Sequence, residues 1–238
     1  VAALKAHFLA SLNHDIRTPL SGIFAMTDLL METGLSAEQR EYVAATRACA
    51  ESLLQLLNAT LDYSALVAGG IKIDATEFNL EETIEAALAE YLIAAKAKGL
   101  RVFRTFAENL PETVVGDAAR FRKMLAQLIE NAVKFTAEGH VEIRVENCPA
   151  ADGKANLKIS VIDTGMGIAP EQVDKIFEAF RQVEDGLTRT KSGLGLGLSI
   201  ALKLASLMGG RIAVTSQLGW GSRFEIHIPM RVPAEAKN

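Results

Sequence analysis

The sequence predicts two domains of different class. The first is an N-terminal helical hairpin that forms a dimeric four-helix bundle. The second is an α+β two-layer sandwich, a mixed sheet covered by helices on one face. Three observations carry this expectation. The first 67 residues hold a helical apolar period with a single break at Thr33-Gly34-Leu35-Ser36. Past Ala68-Gly69-Gly70 the pattern changes to strands of alternating polarity interleaved with helices. The length, 238 residues, suits two modest domains rather than one core. The expected boundaries are 1–67, 71–232 and a tail at 233–238.

In the first helix the apolar positions Leu9, Leu12, Ile16, Leu20, Ile23 and Leu30 recur at steps near three and four. Ser36 is a good N-cap for the second helix, and Gln39 completes a capping box. That helix runs to about Leu66. It sets Val43, Thr46, Ala50, Leu53, Leu57, Thr60 and Ser64 on one heptad seam, widened by Leu54, Leu56 and Leu61. Two antiparallel helices cannot bury so wide a stripe alone, so a symmetric dimer closing four helices is the economical solution. The alternative is that the hairpin packs on the rest of its own chain.

The expected order after the glycines is as follows. Ile71-Lys72-Ile73 reads as a short strand, and Leu80 to Lys98 as a helix capped by Asn79. Leu100 to Phe106 alternates as a strand, and Asp117 to Phe135 is a long helix. Val141 to Val145 and Leu157 to Ile162 alternate cleanly and are joined by the polar turn Ala151-Asp152-Gly153-Lys154. Pro170 opens a short helix, and Leu196 to Met208 makes another. Arg211 to Ser216 with Ser222 to Ile228 forms a closing hairpin.

A formal net charge of −4 argues against nucleic acid as a partner. No apolar run is long enough to span a bilayer, and no signal-peptide pattern opens the chain, so no membrane insertion by this segment is expected. Cys49 and Cys148 lie far apart and match no metal spacing. They read as reduced thiols of a cytoplasmic domain. The start in mid-helix pattern, without methionine or cap, reads as a segment of a longer protein, whose sensor region would provide any membrane tether.

Candidate chemistry begins at Asn13-His14-Asp15-Ile16-Arg17-Thr18-Pro19-Leu20. A mid-helix proline costs about 3 kcal/mol and removes the bond to the carbonyl four residues back, here that of Asp15. It falls just after a histidine followed by an acid. Alone, such a pair is a kink with a surface histidine. Far downstream, Asn131, Asp163-Thr164-Gly165-Met166-Gly167 and Gly193-Leu194-Gly195-Leu196-Gly197-Leu198 together read as a nucleotide site. Glycines opening a helix can cradle phosphate through backbone N–H groups and the helix dipole. An acid at a strand end can accept from an exocyclic amine and so select adenine. The amide oxygen of Asn131 suits Mg²⁺, and Lys134, one turn on, suits a phosphate oxygen. A histidine on one module and a nucleotide site on another suggest phosphoryl transfer between them.

Taken together, these segments resemble the catalytic core of sensor histidine kinases, over essentially the whole chain. Phe8 to Leu20 resembles the family's histidine box, Leu125 to Thr136 its asparagine box, and Asp163 to Ile168 its first glycine box. Phe177-Glu178-Ala179-Phe180 resembles the phenylalanine box, and Ser192 to Ile200 the second glycine box. Gly209 to Ile212 and Gly219 to Phe224 resemble the final hairpin. The resemblance implies an ATP- and Mg²⁺-dependent homodimer that phosphorylates His14 and passes the phosphoryl group to an aspartate on a response-regulator receiver domain. It assigns Asp15 as the acid that takes the imidazole proton and Thr18 as a residue for phosphatase activity. Asp163 would accept from adenine, Asn131 would hold Mg²⁺ and Lys134 would contact phosphate. Phe135, Gly165, Gly167, Ile168, Phe180, Gly193, Leu194, Gly195, Leu196, Gly197 and Leu198 would line the nucleotide, with Arg181 to Ser192 as a lid. The chemistry agrees, because an imidazole of pKa ~6.5 is mostly neutral at cellular pH and a neighbouring carboxylate stabilises the cation it forms.

Several positions depart from the family pattern. Asn13 and Asp15 stand where Ser and Glu are common, Gln127 where a first Asn is usual, and Leu194 where a small or hydroxyl residue is frequent. Two rival readings follow. One is a degenerate kinase acting as nucleotide-binding scaffold or phosphatase. The other is a general ATPase of the gyrase and Hsp90 class, which places at Gln127 a glutamate that activates water.

Overall fold

The computed structural model describes residues 2–69, 71–149, 154–181 and 195–233, apart from the side chains of residues 2–14, 149 and 154. The chain divides into two compact units, residues 1–71 and 72–238.

The first unit is a hairpin of α1 (Ala2–Met31) and α2 (Ala37–Val67). Pro19 lies inside α1, which continues past it. The turn ends at Ser36, whose side chain accepts from the Gln39 N–H at 3.2 Å while the Gln39 side chain accepts from the Ser36 N–H at 3.0 Å. Both bonds of the expected capping box are therefore made. Between the helices Leu20, Thr27, Ala50 and Leu66 are buried, and Arg47 of α2 pairs with Asp28 of α1. Much of the apolar stripe stays open in this single chain. Met26 is 63% exposed, Leu29 57% and Leu53 48%.

The second unit opens with a correction. Residues 71–75 are not a strand. Two of their backbone groups are bound by side chains rather than by a ladder. The Asp74 N–H donates to Asp117 Oδ2 at 3.2 Å, and Arg120 donates to the Lys72 carbonyl at 3.2 Å. The first strand comes just after, β1 (Thr76–Asn79), followed by α3 (Leu80–Ala97), β2 (Arg101–Phe106), β3 (Thr113–Gly116) and α4 (Ala118–Phe135). Then come β4 (His140–Pro149), β5 (Lys154–Asp163), α5 (Pro170–Val173), α6 (Gly197–Leu207), β6 (Arg211–Gln217) and β7 (Gly221–Arg231). The sheet order is β1-β3-β7-β5-β4-β2, with β6 also on β7. Among the described residues β2 and β4 pair in parallel and the other pairs are antiparallel. The sheet is mixed, as expected.

One face carries the core. Val141, Ile143 and Val145 of β4, Leu157, Ile159 and Val161 of β5, and Ile226 and Ile228 of β7 are all buried. They meet Phe121, Met124, Leu125, Leu128 and Ile129 of α4, which lies between α3 and α6. At roughly 1.5–3 kcal/mol per fully buried large apolar side chain, this layer dominates the stability of the unit. It also fixes α4 over the sheet, which decides where the polar face of that helix points.

Candidate functional site

Helix α4 starts at Asp117, which accepts from the Arg120 N–H at 3.0 Å. On its less buried side Gln127, Asn131 and Lys134 are each half-buried, and three neighbouring segments meet this side and the helix end. The first is α6. A Cβ on Gly197 would stand 2.6 Å from Gln127 Oε1 and 3.9 Å from Asn131 Nδ2, so the start of α6 lies directly against these two side chains. Leu196, at the N-cap of α6, makes no side-chain cap bond, and the leading N–H groups of a helix suit an anion.

The second segment is the loop after β5. Asp163 ends that strand at 7% exposure, and its Oδ1 accepts from the Gly165 N–H at 2.8 Å. Burial pushes its carboxyl above the ordinary value, and backbone N–H groups of Gly165 and Ser222 pull it partly back. The loop touches the end of α4 through the Met166 N–H, 3.4 Å from the Phe135 carbonyl. Gly165 packs so close to that carbonyl that a Cβ would stand 2.6 Å from it.

The third is Lys98, at the C-cap of α3. Its ammonium donates to the carbonyls of Val133, Lys134 and Thr136 at 2.6, 3.0 and 3.2 Å. The Thr136 hydroxyl and N–H take the Ala132 carbonyl. Each carbonyl from 132 to 136 thereby has a donor, and a cation sits where the helix dipole is negative.

Of the expected nucleotide residues, Asn131, Gly197 and Leu198 meet at the start of α6. Phe135, Asp163, Gly165, Gly167 and Ile168 meet at the end of α4 and the loop beside it. The Lys134 ammonium lies 5.2 Å from the Phe135 ring centroid. Leu196 is buried, and Gly195 (φ 67°) lies against the Arg181 backbone. Phe180, at φ 65°, is 58% exposed, while Phe177 packs edge-on against Phe224 at 6.5 Å. Gly193, Leu194 and residues 182–192 of the expected lid lie outside the described residues. His14, Asp15 and Thr18 lie on α1 of the first unit. Asp15 and Thr18 are exposed, and the His14 side chain is outside the described residues.

Lys98 and Ser216 are two residues that sequence reasoning passed over. Ser216 Oγ accepts from the Ile168 N–H and donates to the Gly221 carbonyl, both at 2.8 Å. A signal for it existed, since Ser216 interrupts the inward phase of Ile212 and Val214 with a hydroxyl. Nothing local marked Lys98. Both cysteines are free and exposed. No described helix is long and apolar enough to cross a membrane.

A helical hairpin followed by a sandwich with an anion-ready helix start and a buried acid defines a nucleotide-binding module joined to a second, helical one. Residues 116–232 match the family described as histidine kinase-, DNA gyrase B- and HSP90-like ATPases. Residues 4–69 match the His Kinase A (phospho-acceptor) domain. The chain is 39% identical over 236 residues to hybrid signal transduction histidine kinase A of Dictyostelium discoideum, covering 96% of this chain and 11% of that protein. It is 38% identical to the sensor protein GacS of Pseudomonas syringae, covering 98% of this chain and 26% of that one. A solved structure of full-length ShkA in complex with AMPPNP superposes with a TM-score of 0.80 at 35% identity, covering 96% of this chain and 46% of that chain. The chain belongs to the histidine kinase family, of which it carries the phospho-acceptor and ATPase-like domains. It spans about a tenth and about a quarter of the length of the two curated relatives.

Proposed function

We propose that residues 1–67 form the dimerising phosphoacceptor domain and residues 71–232 the ATP-binding domain of a two-component kinase. ATP phosphorylates His14, and the phosphoryl group then passes to an aspartate on a receiver domain. The single observation that carries this reading is the convergence of Gln127 and Asn131, the Asp163 loop and the uncapped start of α6 in a chain whose other unit bears His14. Asp163 accepts from the adenine amine. Lys134 and the leading N–H groups of α6 receive the phosphates. Attack by the imidazole leaves it cationic, and Asp15 orients it and takes its proton.

The donor set fits Mg²⁺ of the substrate-bridging kind. The amide oxygen of Asn131, on the half-buried side of α4, would give it a protein ligand. This ion commonly keeps one or two protein ligands, completes its shell with phosphate oxygens and water, and neutralises phosphate charge. Thr18, one turn after His14, positions water for hydrolysis of the receiver's aspartyl phosphate. The exposed stripe of Met26, Leu29 and Leu53 supports pairing of two hairpins. Gln127 cannot act as the water-activating carboxylate of the gyrase class, which favours transfer over hydrolysis. It also motivates the second reading, a weak kinase retained as scaffold or phosphatase.

The test is incubation with γ-labelled ATP. Acid-labile, alkali-stable label is expected on the protein and is lost in His14→Gln, with ATP binding intact. Persistent label in a folded His14→Gln protein would overturn the assignment.

A further inference from the structure

Three polar side chains close one end of the sheet in a row. Asp163 on β5 stands opposite Ser222 on β7, and Ser222 stands opposite Ser216 on β6. Cross-strand partners share a face. This face is the helix-covered one, because Val141 pairs with Asp163 and is fully buried. Asp163 and Ser222 are buried and Ser216 is half-buried.

The protons of this row follow from counting donors. A hydroxyl has one hydrogen and two lone pairs. Ser216 Oγ lies 2.8 Å from the Gly221 carbonyl, which only accepts, so the Ser216 hydrogen is spent there. The Ile168 N–H, also 2.8 Å away, only donates and occupies one lone pair. Ser222 Oγ stands 2.9 Å from Ser216 Oγ and must therefore donate into the remaining lone pair. Ser222 keeps acceptor capacity alone. An ionised Asp163 beside it is likewise an acceptor only.

We infer that Ser216 is a positioning residue for base selection. By committing the Ser222 proton, it turns the Asp163–Ser222 end of the site into a surface of acceptors. That surface suits the two hydrogens of the adenine exocyclic amine, whether met directly or through a water, and refuses the 6-oxo group of guanine. The inference rests on the adenine reading of Asp163. Without the Ser216 hydroxyl the Ser222 hydrogen is free to turn toward the base and satisfy an oxo group, so discrimination falls while binding persists.

The experiment compares ATP and GTP affinities of the whole chain by competition against a fluorescent adenine nucleotide. Ser216→Ala is expected to lower the ratio of GTP to ATP dissociation constants by about three- to tenfold, the scale of one hydrogen bond. Ser216→Thr, which keeps the hydroxyl on a strand position, is expected to hold the ratio. Equal weakening of both nucleotides by Ser216→Ala, with the ratio unchanged, would overturn the inference by reducing Ser216 to a structural role. If that variant fails to fold, Ser222→Ala decides. It removes the acceptor that Ser216 orients, so a lowered ratio supports the inference and an unchanged one overturns it. Asp163→Asn separates the two levels. Unchanged ATP affinity there brings down the adenine reading, whereas weakened ATP binding beside an unchanged Ser216→Ala ratio refutes the role of Ser216 alone.

Discussion

Asp163→Asn should move ligand affinity and fold stability in opposite directions. Asparagine can keep the 2.8 Å bond from the Gly165 N–H through its own oxygen, so the loop retains its anchor. Its second terminal atom becomes a donor where the carboxylate offered an acceptor. Losing one charge-assisted bond to the adenine amine and facing donor with donor should cost about 1–3 kcal/mol, or roughly 5- to 150-fold in ATP affinity. The unliganded protein gains instead. Burial raises the Asp163 carboxyl above its ordinary value, so the folded state binds this proton more tightly than the unfolded chain does. Stability from this group is therefore highest below the unfolded pKa and is lost as pH rises through the raised folded value. Above that interval the wild type holds a buried charge that asparagine lacks. Calorimetric titration with ATP at neutral pH, together with urea unfolding over a pH series, checks both halves. Undiminished ATP affinity in a folded variant would remove Asp163 from base recognition. A stability difference that does not move in the variant's favour as pH rises through that interval would refute the assigned burial penalty.

Two further substitutions probe the helix that carries the site. Lys98→Met strips three carbonyls of their donor, one of them on the fully buried Thr136. It should lower stability by about 1–2 kcal/mol, toward the low end because Lys98 as a residue is exposed, with partial recovery in Lys98→Arg. A shift below about 0.5 kcal/mol in urea unfolding would show that water replaces the clamp. Gln127→Asn withdraws the amide from Gly197 by one C–C bond, about 1.5 Å. Displacements of that size alter positioned reactions by up to about a hundredfold. Single-turnover autophosphorylation at saturating ATP should accelerate with little change in affinity, and an unchanged or slower rate would take Gln127 out of the reacting geometry.

Long periodic elements were legible in the sequence because their signals are repeated many times. The capping box at Ser36 and Gln39, the Asn79 cap and the β6–β7 hairpin stand where their residues place them. Short strands were not. β1 and β3 hold four residues each, from Thr76↔Gly116 to Asn79↔Thr113, a distant partnership no local period reveals. Ile71-Lys72-Ile73 alternates like a strand, yet Arg120 claims the Lys72 carbonyl and Asp117 the N–H of the neighbouring Asp74. The nucleotide region was legible as a set of glycines and polar residues. Its supports were not, because Lys98 acts 35 positions away from the first carbonyl it binds, and Ser216 works through which hydrogen points where.

The hold of Asp117 and Arg120 on residues 72 and 74 also sets a leash. The peptide leaving α2 does not run free until β1. It is tied at Lys72 and Asp74 to the first turn of the helix that presents Asn131. Four residues, Lys72 to Ala75, are thereby withdrawn from the connection between the two units, and fully extended they would add up to about 14 Å of reach. One carboxylate and one guanidinium thus hold this stretch against the second unit. A change at either would release it without inserting a single residue.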